Sequence, residues 1–283
     1  MVNTVVAKGK FGHYYRYATK WHSNSKLDSE PVTIVLSPHI DDVFLSLGTL
    51  IEAGKLGRSI IGVNVFTATD STSTVSTRSD FSTVARVSTR RMAEELRLAD
   101  HFSRKNLSYM PVFLGLKDAA IGAYYENIAG RSIRAMPSLI KGYAKKVSAA
   151  YVSKRMAETN IAAILDNLLL QFGKNVRAVV APVGIGDHID HMMLRAYAER
   201  LSSRMMVGLY ADVPYIYHYV PLTLDGIRTM LPKGFHSYDQ GLFDSASKTR
   251  LFNSIYKSQR DAAMLGALKA ISRSVGETVF WSR

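Results

Sequence analysis

Short apolar runs alternate with stretches of helical period along most of this chain. Val32 to Leu36 is rich in β-branched residues and stops at Ser37-Pro38, which predicts a strand buried on both faces. Val43 to Leu56 follows with helical spacing. Ser59 to Thr67 (SIIGVNVFT) predicts a second buried strand. Val84 to Asp100 then places Val84, Val87, Met92, Leu96 and Ala99 on one helical face. Tyr109 to Leu116 is a further short apolar run, Ile161 to Phe172 a strongly apolar helix, and Arg177 to Val183 a return to strand. Lys248 to Leu268 predicts a single amphipathic helix near the end. Strand, helix, strand, helix, strand is the order of a parallel sheet with right-handed crossovers. The expected fold is α/β, a Rossmann-like three-layer arrangement around a mostly parallel sheet. Its active site is expected at the C-terminal edge of the strands.

Three segments depart from this rhythm. Residues 1–30 set Lys8, Lys10, Arg16, Lys20 and Lys26 among Phe11, Tyr14, Tyr15, Tyr17 and Trp21. Such an arm either packs its rings on the domain it precedes, with its lysine stems in solvent, or grips single-stranded nucleic acid. The packing reading is preferred, because no nucleic-acid motif accompanies the arm. Ala68 to Ser82 is a Ser/Thr-rich loop at the expected site edge, placed to form a wall or lid. Residues 119–160 are broken by Gly122, Gly130 and Pro137 and carry a basic region from Arg131 to Lys154. They read as a partly helical insertion near the site. With no linker-like stretch, residues 1–283 are expected to form a single domain.

Composition narrows the chemistry. At 283 residues and 47% hydrophobic, the chain is long enough for one sizeable core. It has no cysteine, which excludes a disulfide scaffold and zinc–thiolate sites and leaves histidine and carboxylate as the strong metal ligands. That composition fits a reducing cytoplasm. The basic, aromatic N-terminus lacks an apolar signal core, and no window reaches transmembrane length. A cytoplasmic protein is therefore expected. The net charge of +13 points to an acidic partner or to a solubility trait. The basic residues are spread rather than gathered, so charge alone identifies no partner.

Candidate chemistry sits just past two predicted strands. His39, Asp41 and Asp42 follow the first one. An imidazole and two carboxylates this close repel and desolvate one another unless a positive ion lies among them. The competing reading is a helix N-cap, with Asp41 or Asp42 accepting backbone N–H bonds. A later strand runs into Gly184-Ile185-Gly186-Asp187-His188-Ile189-Asp190-His191, where the glycines permit a tight turn. Two such clusters at the same kind of position would share one edge of one sheet, and that coincidence favours a metal. The remaining histidines, His13, His22, His101, His218 and His236, have no ligand-like spacing.

His-x-Asp-Asp after the first strand and His-x-Asp-His after a later one resemble the PIG-L or LmbE-like family of zinc-dependent N-acetylglucosaminyl deacetylases. Further segments resemble the family in order: Arg91-x-x-Glu94, Leu114 to Asp118, Tyr210-x-Asp212-x-Pro214-Tyr215, and Tyr256-x-Ser258-Gln259. The chain departs from the family's usual proline at Ile40 and Ile189, and from its frequent acid at Val43. The resemblance implies that His39, Asp42 and His191 hold one Zn2+ per chain, although such ligands also accept iron, cobalt or manganese. It implies that Asp41 is the general base, and that His188 faces the developing oxyanion or acts as general acid. Asp190 would hold a ring in its tautomer, and Arg91 and Asp118 would contact the sugar.

The activity so implied is removal of an acetyl group from the amine of an N-acetylated amino sugar or conjugate, phosphorylated and nucleotide-linked forms included. Two alternatives stand beside it. One is an amidase for a non-sugar natural-product or thiol conjugate. The other is a non-catalytic basic binding protein on the same fold, whose affinity for generic nucleic acid would fall steeply with salt. A homo-oligomer is compatible with all three.

Overall fold

The computed structural model describes residues 31–69, 81–119, 148–259 and 262–282. The basic arm, most of the Ser/Thr-rich loop and most of the expected insertion lie outside these residues.

Strand β1 (Val32–Ser37) is buried at all six positions, and so is β2 (Ser59–Asn64). Continuous burial on both faces is what an all-apolar, β-branched strand requires. β3 (Ser108–Phe113), β4 (Val176–Pro182) and β5 (Met206–Tyr210) complete the parallel part of the sheet. Two more strands, β6 (Ser237–Gly241) and β7 (Glu277–Trp281), extend one edge, with β7 antiparallel to both β5 and β6. The order is β3-β2-β1-β4-β5-β7-β6. The chain moves outward from β1 through β2 to β3, then returns to β4 on the other side of β1. Right-handed crossovers therefore put helices α1 (Asp42–Glu52) and α2 (Phe81–Ser103) on one face. Helices α3 (Ala149–Thr159), α4 (Ile161–Phe172) and α5 (Ile189–Leu201) cover the other. The short helices α6 (Tyr215–Tyr219) and α7 (Leu224–Arg228) follow β5.

The C-terminal region differs from the expected single helix. α8 (Ser245–Ile255) ends early, a 3-10 turn covers Lys257–Gln259, and α9 (Ala262–Ser272) follows. The break has a local cause. Glu94 of α2 accepts from the Ser258 backbone N–H at 2.9 Å and from its hydroxyl at 2.5 Å, and Glu95 accepts from the Tyr256 hydroxyl at 2.6 Å. Side chains from another helix take up groups that continued helix would need. The antiparallel edge was also not predicted, because β6 (SYDQG) has no apolar alternation and is largely solvent-facing.

Phe44 of α1, Phe252 of α8 and Tyr256 form a buried aromatic set with centroids 5.3–6.3 Å apart. Each such burial is worth about 1.5–3 kcal/mol. Beside it lies a buried ion pair. Lys248 of α8 donates to the Leu45 carbonyl at 2.6 Å and pairs with Glu277 of β7. The Glu277 carboxylate in turn accepts from Thr49 N at 2.7 Å and Leu50 N at 3.0 Å. Burial pulls the Lys248 pKa down, against the opposing pull of Glu277. The pair bolts the antiparallel edge to the helix that carries the first acidic cluster. Removing one partner strands a buried charge, so Lys248→Met should lower unfolding free energy by about 3–5 kcal/mol in urea titration. A loss below about 1 kcal/mol, the scale of a solvated pair, would refute this account.

Candidate metal centre at the sheet switch point

β1 and β4 are neighbours at the point where the strand order reverses, the position at which open α/β sheets bind ligands. The first cluster leaves β1 through a tight bend, with the Ser37 hydroxyl donating to the His39 carbonyl at 2.6 Å. His39 N donates to Asp42 Oδ2 at 2.8 Å, which brings ring and carboxylate together. Asp41 occupies the N-cap position of α1 at φ 109°, a strained conformation for a residue with a Cβ. Its side chain makes no cap hydrogen bond. Asp41 Oδ1 instead accepts from Arg91 Nη2 at 3.0 Å, so the capping alternative does not describe this aspartate.

The second cluster leaves β4 through a turn in which Gly184 and Gly186 have φ of 79° and 82°. A Cβ on Gly186 would lie 2.8 Å from the Tyr219 ring, so glycine is needed there for space as well as for conformation. His188 is the N-cap of α5, and its Nδ1 accepts from Asp190 N at 3.3 Å. An accepting Nδ1 leaves the ring proton of the neutral imidazole on Nε2. His191, in the first turn of α5, meets Asp212 Oδ1 through its Nδ1 at 2.6 Å. Asp212 Oδ2 accepts from Gly184 N and Ile185 N at 2.9 and 3.1 Å. One carboxylate therefore fixes both the turn and the ring. In the sequence Asp212 stood out only as the acid of the Tyr210-x-Asp212-x-Pro214-Tyr215 segment, with no task attached to it; the structure supplies the task.

His39, Asp42 and His191 offer ligand atoms that all lie within 4.8 Å of one another. The decisive observation is His191 Nε2, which is buried without a hydrogen-bond partner and lies 3.8 Å from Asp42 Oδ2. His39 Nδ1 lies 3.4 Å from the same oxygen. A cation between these atoms satisfies all three. Two imidazoles and one carboxylate suit zinc and leave a fourth position open. Each of the two histidines also has its other nitrogen held by an acid, Asp190 at 3.0 Å for His39 and Asp212 for His191. That is how metal-ligating imidazoles are oriented. A second grouping, His39 with His188 and Asp190, is also within reach of a cation. Asp190 Oδ2, however, already meets His39 Nε2 and accepts from Ala119 N at 2.9 Å, which gives it a holding role.

Electrostatics separates the two adjacent aspartates. Burial pushes the Asp41 carboxyl up to about 7, even with Arg91 beside it. Burial acts the same way on Asp42, yet His191 and His39 outweigh it and hold that carboxyl at about 2. Burial also works against a charged His39, but hydrogen bonds to Asp190 and Asp42 push it up to about 10. Burial takes His188 down to about 3 against the pull of Asp190, so it stays neutral at neutral pH. The rings of His39, His188 and His191 lie 5.1–5.4 Å apart, and Tyr215 packs on His191 at 5.0 Å and on His188 at 6.0 Å.

The structure therefore gathers His39, Asp41, Asp42, His188, Asp190 and His191 at one crevice. Asp118 is buried at the end of the β3 segment, next to the Ala119 amide that binds Asp190. Arg91 is only 4% exposed and is engaged with Asp41 rather than turned to solvent. Outside the crevice, His101 pairs with Glu52 at 2.8 Å.

No protein-family model and no curated protein matches the chain. Solved structures do match, and the likeness is one of fold. A deacetylase from the teicoplanin biosynthesis pathway is similar at 19% identity and TM-score 0.54, over 88% of this chain and 97% of that one. The zinc-inhibited form of teicoplanin deacetylase is similar at 18% identity and TM-score 0.54, with the same coverages. The deacetylase of the A40926 pseudoaglycone is similar at 17% identity and TM-score 0.50, over 89% and 96%. These likenesses establish the mostly parallel, three-layer α/β architecture.

An amide in place of the Asp212 carboxylate would turn an N–H toward His191 Nδ1 and drive the ring proton onto the ligand nitrogen. Asp212→Asn should therefore weaken zinc affinity about 10–100-fold in competition titration. Unchanged affinity would show that Asp212 does not orient the ligand.

Proposed function

We propose that this chain is a zinc-dependent hydrolase that removes the acetyl group from the amine of an N-acetylated amino sugar or sugar conjugate. The observation that carries the reading is the ligand group His39, Asp42 and His191, with His191 Nε2 buried and unpartnered, and beside it the buried Asp41 carboxylate held by Arg91. A carboxylate at that position can serve as general base to a metal-bound water. The fold shared with deacetylases, one of them in a zinc-inhibited form, supports the same reading.

Zinc held by His39, Asp42 and His191 would supply Lewis acidity toward a water molecule and an amide carbonyl. The chain's own groups do the rest. Asp41 takes the proton of the attacking water as oxygen adds to the acetyl carbon. His188 donates from Nε2 to the carbonyl oxygen as that atom gains charge, its Nδ1 held by the Asp190 N–H. A neutral imidazole suits this donation, because it gives up no proton while the charge develops. The carbon–nitrogen bond then breaks, and the proton held on Asp41 passes to the leaving amine. The products are acetate and a free amine. Tyr215 lies against both rings and narrows the space around them.

The proposal includes Asp118 as a contact for the sugar, supported by its place beside the Ala119 amide that binds Asp190. A phosphorylated or nucleotide-linked acceptor, which would suit a chain of net charge +13, belongs to this proposal as well. So does a cytoplasmic location. No helix of the described residues is long and apolar enough to cross a membrane.

The test is amine release from a panel of N-acetylglucosamine conjugates by zinc-loaded protein. Asp41→Asn should lower kcat by about 10²–10⁴-fold while one zinc per chain remains bound. Turnover of non-sugar amides alone would transfer the reading to the amidase alternative. Full activity in Asp41→Asn would remove Asp41 from the chemistry.

A further inference from the structure

Helix α2 buries charge along one face. Arg91 is 4% exposed, and Glu94 and Glu95 are fully buried. Arg91 Nη2 donates to two acceptors, the Ile40 carbonyl at 2.5 Å and Asp41 Oδ1 at 3.0 Å. These acceptors lie on the two sides of the Asp41 N–Cα bond, the bond twisted to φ 109°. Strained conformations of this kind persist only where the surroundings over-determine them. The helix is itself held in register. Glu95 accepts from the hydroxyls of Tyr109 and Tyr256, and Glu94 accepts from the N–H and hydroxyl of Ser258.

We propose that Arg91 is a positioning residue. It pins the Ile40 carbonyl and one Asp41 oxygen, and so presents the other oxygen, Oδ2, for proton transfer. Glu95 and Tyr256 act one step behind it by fixing where α2 sits. The inference rests on the reading of Asp41 as the general base, and it replaces the expectation that Arg91 contacts the sugar. A lysine does not substitute, because its shorter stem and tetrahedral ammonium would not bring Nζ to the place where Arg91 Nη2 meets both acceptors.

The test uses full-length, zinc-loaded protein with Arg91→Ala, Arg91→Lys and Tyr256→Phe. Arg91→Ala should lose about a hundredfold in kcat, the scale of a misplaced catalytic group. KM and zinc content should stay unchanged. Added guanidinium ion should restore part of the activity of Arg91→Ala and none of that of Asp41→Asn. Arg91→Lys, which keeps the buried charge and so the fold, should still lose about tenfold in kcat, and Tyr256→Phe should lose less at unchanged KM. A raised KM at unchanged kcat would make Arg91 a substrate contact and overturn the proposal, as would loss of zinc or a failure of guanidinium rescue. A second readout needs no substrate. Hydrogen exchange at the amides of residues 40–43 should quicken in Arg91→Ala while the rest of α1 is unaltered, and unchanged exchange there would also overturn it. Absence of turnover in the unaltered enzyme would count against the hydrolase reading alone, since the exchange measurement would still report on the clamp.

Discussion

Buried negative charge is the constraint on which the rest of this structure depends. Asp41, Asp42, Asp190 and Asp212 all lie in the segments that follow the strand ends at one crevice, and all are buried. Carboxylates removed from water are stable only when paired or protonated. Each here has a different answer. Asp42 has His39, His191 and the positive end of α1. Asp190 has the His39 ring and a backbone amide, and Asp212 has two backbone amides and the His191 ring. Asp41 has burial and the neighbouring Asp42 charge against one guanidinium and the His39 ring, and it is pushed toward neutrality. That difference in environment sets two consecutive carboxylates apart, and under the proposed function it separates a ligand from a base.

Holding such a site requires a rigid frame, and the frame is built from distant parts of the chain. The Tyr256–Gln259 turn interrupts what would otherwise be continuous helix and delivers Tyr256 and Ser258 to Glu95 and Glu94. The Lys248–Glu277 pair ties α8 and β7 to α1. Both devices converge on the two helices that carry Arg91 and Asp42. Segments outside the crevice still decide where its side chains sit, because well-packed interiors do not deform continuously.

Much of this was legible in the sequence, and the reasons differ by element. β1, β2 and β4 were readable because buried parallel strands are nearly all apolar. The His39-Asp41-Asp42 and His188-Asp190-His191 clusters were readable because short polar runs at strand ends stand out against that background. β6 was not, since SYDQG has the pattern of a loop and becomes a strand only by pairing with β7. The division of α8 from α9 was hidden too, because the groups that break the helix lie about 160 residues away in α2. Asp212 was legible only as part of the Tyr210-x-Asp212-x-Pro214-Tyr215 segment, and its task became visible once folding set it against His191.

The pairings around the crevice also bear on how a cation would be received. Asp190 joins the ends of the β1 and β3 segments to the start of α5, and Asp212 joins the β4 turn, the β5 end and His191. Four strand ends are thus tied together by two carboxylates that are not themselves in the favoured ligand set. The side chains of His39 and His191 are thus oriented by protein–protein bonds, as the rings of metal-ligating histidines are.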